Sequence, residues 1–373
     1  MDFNDEQKMI QEVSRKFASK EIAPLATCEK EDSFPSKEII KKLAELGLLG
    51  IMVPEKMGGA GSDMVAHVLA LEEIAVADVG IAISYSNLCT LTNRIVEYGS
   101  DKLQKQFLSG LISAKRLGAF CFMESKAGSD PDEMETTARQ TDGEWLLSGE
   151  KVFVINGAIS EFYLVFAVTG ENALSFFIAD RNGGNTGATE ISNTLGIKSA
   201  ALADIQFDDA RVPAENVLGE TGQGVAALNA FFDELKIGAA AIANGVARAA
   251  MEGAIAYSKI REQFGQPICK FPAISDRIAD MDTNLNASRA FTYWAASLKD
   301  RNVKFTKEAA QAKLFASEMA FKVCHSALQV YGGHGFITEH PIEKYYRDQR
   351  ILQIYAETNE INRNLISKAI LGQ

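Results

Sequence analysis

The sequence predicts an α+β fold in which a helical domain leads into a central β domain and the chain closes with a helical bundle. Three observations carry this. Apolar residues recur at helical spacing up to about residue 112, segments turn short and alternating from Gly118, and long helical patterns return after Gly224. The expected divisions are 1–115, 116–222 and 223–373, and a length of 373 residues suits two or three domains.

In the first part Met9, Ile10, Val13 and Phe17 recur at three- and four-residue intervals, and Ile39, Ile40, Leu43 and Leu46 repeat the pattern. Pro54 and the run Gly58-Gly59-Ala60-Gly61 interrupt it, and helix resumes through 69–75. Strands are expected over 145–148, 151–155, 162–168, 175–178 and 204–207, where β-branched and aromatic residues concentrate. Asp142-Gly143, Asn156-Gly157 and the glycines of 183–187 punctuate them as turns. Beyond residue 225, the segment 228–258 is rich in Ala and Gly, which permits close helix approach, and 306–330 reads as a second long helix. A basic-aromatic turn at Arg261–Gly265 joins helices between them, so this part reads as about four long helices.

Composition excludes some functions. Hydrophobic residues make up 47% and charged residues 23%, ordinary for a globular protein with a large core. A net charge of -11, from 38 basic and 49 acidic residues, argues against nucleic acid as a partner. No apolar run is long enough to span a bilayer, and the N-terminus lacks the basic and apolar regions of a secretion signal, so a cytoplasmic, non-membrane protein is expected. The five cysteines (28, 89, 121, 269, 324) are odd in number and scattered, which predicts reduced thiols. Four dispersed histidines predict no metal site.

The stretch 328–363 breaks twice, at Gly332, Gly333 and Gly335 and again at Ala356-Glu357-Thr358, between helical runs. A helix from Pro341 to about Tyr355 is expected between the breaks. Such breaks expose N–H groups suited to anions, and two ordinary capped helix junctions would look the same. The wording is more specific. Gln329-Val330-Tyr331-Gly332-Gly333-His334-Gly335, Tyr346-Arg347-Asp348, and Ile354-Tyr355 followed by Thr358, Glu360, Ile361 and Arg363 resemble the C-terminal signature of the acyl-CoA dehydrogenase family. The resemblance extends over essentially the whole chain. Within this signature it departs at one informative point, because the family usually writes Tyr-Glu-Gly-Thr where this chain has Tyr355-Ala356-Glu357-Thr358.

The resemblance implies FAD as cofactor, an acyl thioester of CoA or a carrier protein as substrate, an electron-transferring flavoprotein as acceptor and a homotetramer as assembly. Phe120 to Asp130 reads physically as a strand entering a Gly-Ser-Asp turn that could hold phosphate, or as a plain turn. It is similar to the family segment against the flavin and thioester, with Ser129 at the serine that contacts both; Met123 stands where Thr is usual and Ser125 where Pro is usual. Lys151 to Gly157 is similar to the strand whose aromatic residue packs on the isoalloxazine. Phe153 keeps the aromatic body, but Ile155 removes a hydroxyl, so fewer donors would reach the ring and the reduced flavin would be stabilised less. Arg261 with Phe264 and Gly265 resembles a motif that, with Gln329 and Gly333, reaches the cofactor of a neighbouring subunit; a planar guanidinium fork suits pyrophosphate. Thr358 and Glu360 fall on the cofactor-binding end of the signature. Asp233 and Lys236 match an Asp-x-x-Arg helix facing the pantetheine, and Ser86 to Cys89 match the lining of the acyl tail. Tyr355 and the N–H of Ala356 would meet the thioester.

Both positions at which the family carries its catalytic base are empty: Ala356 stands at one and Leu235 at the other. Each has a glutamate beside it. A one-residue shift on a helix turns a side chain by about 100°, so Glu234 is expected to face solvent and is the weaker candidate. Glu357 lies in a non-helical break, where the backbone can re-aim it, and desolvation by an acyl chain would raise its pKa toward that of a general base. Two other readings stand: a repurposed flavin-dependent oxygenase or reductase, and a non-catalytic acyl-thioester binder.

Overall fold

The computed structural model describes residues 2–27, 34–170 and 173–372; Cys28 lies outside them. The first part is helical: α1 (Asp5–Phe17), α2 (Ser36–Glu45), α3 (Met64–Ala77), α4 (Val79–Tyr98) and α5 (Asp101–Ile112). Sequence sets their starts. Asn4 and Gln7 close α1 with a reciprocal capping box, and Asp63, Asp78 and Ser100 cap α3, α4 and α5 through their side chains. Helix α4 is buried from Val79 to Ile95, yet it carries Ser84, Ser86, Asn87, Thr90, Asn93 and Arg94. A helix buried on all sides is normally apolar all round, so these polar side chains need partners.

The middle part is one eight-stranded sheet: β1 (Gly118–Cys121), β2 (Thr137–Thr141), β3 (Glu144–Val154), β4 (Phe162–Gly170), β5 (Ala173–Asp180), β6 (Thr186–Glu190), β7 (Ala203–Pro213) and β8 (Val217–Leu218). The order is β6-β7-β3-β2-β4-β5-β8, with β1 parallel to β4. Trp145, Leu147, Tyr163, Phe177 and Phe207 fill the core on one face, as alternation along the strands requires. The other face packs on the helices through Phe162, Phe166 and Phe176.

The rest is helical: α6 (Gly224–Ile260), a hairpin of β9 (Glu262–Gln263) and β10 (Gln266–Pro267), α7 (Pro272–Asp300), α8 (Thr306–Tyr331), α9 (Ile342–Asp348) and α10 (Asn359–Leu371). The Ala/Gly run of α6 lets α3 approach closely: a Cβ on Gly245 would lie 2.5 Å from the Glu72 carbonyl oxygen.

Some details differ from the sequence expectation. The pieces 145–148 and 151–155 are one strand, β3, bent by register shifts, because a bulge lets a strand change aim without ending. Ile155 falls just past it. The glycine cluster of 183–187 is turn only in its first half, since β6 begins at Thr186 and pairs with β7. The helix expected from Pro341 to Tyr355 ends at Asp348 and tightens to a 3₁₀ segment, Gln349–Gln353.

Candidate active site

Two parts of the fold converge on α4. From the sheet, Asn156 Nδ2 donates to the Ser84 carbonyl at 3.1 Å, tying the end of β3 to α4. From the C-terminal bundle, Tyr355 OH accepts from Asn87 Nδ2 at 2.7 Å, three residues further along the same helix. The space between the β3 end and the 355–358 loop is therefore walled by α4 residues 84–87.

On the sheet side lies an apolar shelf. The register shift between Lys151 and Val154 turns Phe153 outward at φ 54°, leaving its side chain 59% exposed. A bulky residue in that left-handed region is a genuine outlier. Met123, 42% exposed, sits beside it, since the Val152 N–H donates to the Met123 carbonyl at 2.8 Å. Buried Lys151 pins both strands: its Nζ lies 2.7 Å from Glu124 Oε1 and 3.1 Å from the Phe122 carbonyl. Burial opposes ionisation of Glu124, but Lys151 and the N–H groups of Glu135 and Thr136 hold its pKa below the usual carboxylate range. Ile155 is partly buried against the helical core. Ser129 is exposed at the end of the strand-to-turn segment.

On the helical side, Ala356 and Glu357 are both left-handed (φ 54° and 63°). Two such residues in succession make a tight reversal, and their N–H groups have no partner among the described residues. Glu357 Oε2 is sealed from solvent 2.7 Å from Lys236 Nζ, poorly aligned for a hydrogen bond, while the side chain keeps 26% of its exposure. Lys236 also donates to Asp233 Oδ1 at 3.1 Å, and Asp233 Oδ2 accepts from Thr306 Oγ1 at 2.6 Å. Lys313 Nζ donates to the Glu357 carbonyl at 2.6 Å and to Asn359 Oδ1 at 2.8 Å; burial pulls its pKa down to about 7. Thr358 caps α10, and Glu360 is exposed in the first turn.

Glu234 is not a solvated residue. It is 1% exposed, with Arg94 Nη2 at 2.5 Å, Lys299 Nζ at 2.6 Å and Asn93 Nδ2 at 3.1 Å. The turn of about 100° away from Leu235 carries it against α4 and the end of α7 rather than into water. Burial opposes its charge, but Arg94 and Lys299 overcome that and lower its pKa, which weakens it as a base. It borders a cavity of about 660 Å³ that Asp233, Asp300 and Thr306 also line.

Arg261, Phe264, Gln329 and Gly333 gather elsewhere. The ends of α6 and α8 meet where Tyr257 stacks on Tyr331, with ring centroids 4.2 Å apart. Phe264 forms the tip of the β9–β10 hairpin with Gly265, both at positive φ as a two-residue reversal needs, and is 94% exposed. Asp233 and Arg261 are 28 residues apart on and just beyond one helix, about 42 Å at 1.5 Å per residue. Arg261 thus lies at the opposite end of α6 from Asp233 and Lys236 of the same chain.

Lys313 escaped the sequence reading, and Lys151 and Asn87 entered it only inside longer motifs, with no role of their own. The signal for Lys313 was a lone lysine among Ala309, Ala312, Ala316 and Ala320, the buried stripe of α8. Among the described residues no three His, Cys, Asp or Glu side chains group as metal ligands, and no helix is long and apolar enough to cross a membrane.

Three family models match in succession: acyl-CoA dehydrogenase N-terminal domain over residues 4–115, middle domain over 119–210 and C-terminal domain over 222–371. An acyl-CoA dehydrogenase of Bacillus subtilis is 41% identical, with all of both chains covered. Butyryl-CoA dehydrogenase from Megasphaera elsdenii superposes over all of both chains with a TM-score of 0.95 and 37% identity. An acyl-CoA dehydrogenase of Bacillus anthracis solved with FAD gives 0.95 at 30% identity, covering all of this chain and 67% of that one. Identity at this level along the full length, on a shared architecture, makes this chain a member of the acyl-CoA dehydrogenase family.

Proposed function

We propose that this chain uses FAD to dehydrogenate a short acyl thioester, with Glu357 as the base. FAD-dependent oxidation of a CH–CH bond is the family's reaction, and FAD is the cofactor. The residues fit it: a planar ring needs a flat apolar support, and Phe153 and Met123 offer large exposed apolar surface side by side. Ser129 and Ile155 border that support, while Thr358 and Glu360 lie at the start of α10. Arg261, Phe264, Gln329 and Gly333 would hold the cofactor of a neighbouring subunit, a reading supported by the roughly 42 Å along α6 between Arg261 and Asp233 of the same chain. Exposed Phe264, Phe336 and Ile260 at that end support a homotetramer.

Bound FAD supplies the hydride acceptor. The chain's own groups do the rest. Glu357 takes the α-proton, Lys236 holds its carboxylate in place, and the N–H groups of Ala356 and Glu357, unpaired among the described residues, are donors for the thioester oxygen. Asp233 and Lys236 face the pantetheine, and Tyr355 the acyl group. The single observation that carries the reading is a glutamate side chain held by a lysine in a left-handed reversal next to Tyr355. CoA is favoured over a carrier protein as the thiol, by the relatives' substrates, and an electron-transferring flavoprotein as acceptor. A cytoplasmic location fits the free cysteines.

The test is anaerobic: butyryl-CoA should bleach the flavin of the parent, and Glu357→Gln should slow bleaching at least 100-fold. Bleaching by Glu357→Gln at the parent rate rejects Glu357 as the base.

A further inference from the structure

The reversal that carries Glu357 has to be held in place. Ala356 and Glu357 both sit in the left-handed region, where residues other than glycine are strained. Its two ends are tied down: Tyr355 accepts from Asn87 of α4, and Thr358 caps α10 by accepting from the Ile361 N–H. Between them the Glu357 carbonyl receives two donors, Lys313 Nζ of α8 at 2.6 Å and Asn362 Nδ2 of α10 at 3.1 Å. Both side chains are wholly buried, and both are kept at a cost to stability. Burial opposes the Lys313 charge, and Asn362 Oδ1 is sealed with no partner among the described residues. Their other acceptors do not depend on them. Asn359 Oδ1 also accepts from Ser317 Oγ at 3.1 Å, and the Thr358 carbonyl also accepts from the Asn362 backbone N–H at 3.0 Å. Only the Glu357 carbonyl has no further donor among the described residues.

We propose that Lys313 and Asn362 are positioning residues for the base: gripping the Glu357 carbonyl from two helices, they hold the left-handed pair and so aim the Glu357 carboxylate. This rests on the dehydrogenase reading above, with Glu357 as the base. Two donors from different elements fix the plane of the 357–358 peptide. With that plane and Tyr355 both held, the two residues between them cannot relax to the right-handed region, which would swing the Glu357 side chain away. Lys236 meets the carboxylate itself, so the glutamate is fixed at its tip by one lysine and at its backbone by the other. A catalytic group displaced by about 1 Å loses about 100-fold in rate.

The test reads rate and binding separately on the FAD-loaded protein without oxygen. Lys313→Met and Asn362→Leu each remove one donor and leave every oxygen concerned with another, so both should fold and keep flavin at the parent level. Bleaching by saturating butyryl-CoA should slow tenfold or more in each, while the concentration giving half the maximal rate stays within threefold of the parent's. A side chain that only stabilises the fold would leave the rate per bound flavin unchanged. Slowing of less than tenfold in a folded variant overturns the proposal. So does slowing that comes with flavin loss or a larger shift in half-saturation. If one variant does not fold the other decides, and if neither folds the two residues are structural and the proposal fails. Glu357→Gln separates the two readings: slow bleaching there, with parent rates in both variants, rejects the positioning role alone. A parent that does not bleach, or Glu357→Gln bleaching at the parent rate, rejects the reading on which it rests.

Discussion

Glu357 is held from two sides by two lysines that differ in character. Lys236 meets its carboxylate and Lys313 its backbone carbonyl. Lys313 bonds only neutral oxygens, and burial draws its pKa to about 7 from 10.5, outweighing the more distant attraction of the Glu357, Glu360 and Glu318 carboxylates. The sign of the linkage follows. Below about pH 7 the ammonium is charged folded and unfolded, and its burial cost is present in full. Between about 7 and 10.5 the unfolded chain holds the extra proton, so stability rises with pH across that window. Lys313→Met should remove this rise, which thermal unfolding of parent and variant at pH 7 and 9 would detect. An unchanged slope would show that Lys313 keeps an ordinary pKa.

At the scale of elements, the approach of α6 to α3 is set by glycine. A Cβ at Gly245 would lie 2.5 Å from the Glu72 carbonyl and 2.6 Å from Ala75 Cβ, so neither neighbour can swing away. Alanine gains about 1 kcal/mol of helix propensity over glycine, against about 1–3 kcal/mol for overpacking. We expect the clash to win, with Gly245→Ala lowering the urea midpoint. Gly253→Ala is the control on the same helix, since its Cβ would meet only the Tyr331 hydroxyl at 3.2 Å. A midpoint for Gly245→Ala at or above the parent's would mean that the helices separate without cost.

Across the whole molecule, Lys344 of α9 joins all three parts of the chain. Its Nζ lies 3.0 Å from Asp78 Oδ2, at the cap of α4, and 2.5 Å from Asp348 Oδ2. Asp348 Oδ1 accepts from the Ile197 N–H at 2.7 Å, and Ser199 bonds Asp78. Burial disfavours the Lys344 charge, but the two aspartates hold its pKa well above the lysine range. Removing one partner of a buried cluster costs about 3–5 kcal/mol, so Lys344→Met should lower the urea midpoint of the whole chain markedly. A midpoint within error of the parent would show that the junction is wet. The proposed cofactor role of Arg261, just beyond the far end of α6, is tested separately. Arg261→Ala should release flavin, read by absorbance after desalting, while circular dichroism stays at the parent level. Equal flavin content in variant and parent would count against a cofactor role.

The sequence alone determined the class of the fold and the chemistry of its parts. Periodicity changes at Gly118 and Gly224 separate helix from sheet because 3.6- and 2-residue repeats bury different faces. Motif order brought the family, and with it Phe153, Asp233, Lys236 and Arg261. What the sequence could not contain was the outcome of packing between distant segments. Glu234 looks solvated by helical rotation, yet α4 and α7 arrive on that side with Arg94 and Lys299. Lys313 looks like one more surface lysine until α10 lays the Glu357 carbonyl over it. The left-handed pair Ala356 and Glu357, and the polar wall of Ser86 and Asn87, exist only once residues some 270 apart in sequence meet, as Asn87 and Tyr355 do. Local propensity is written in neighbouring residues, whereas burial, charge pairing and backbone strain are decided by whatever the rest of the chain brings alongside.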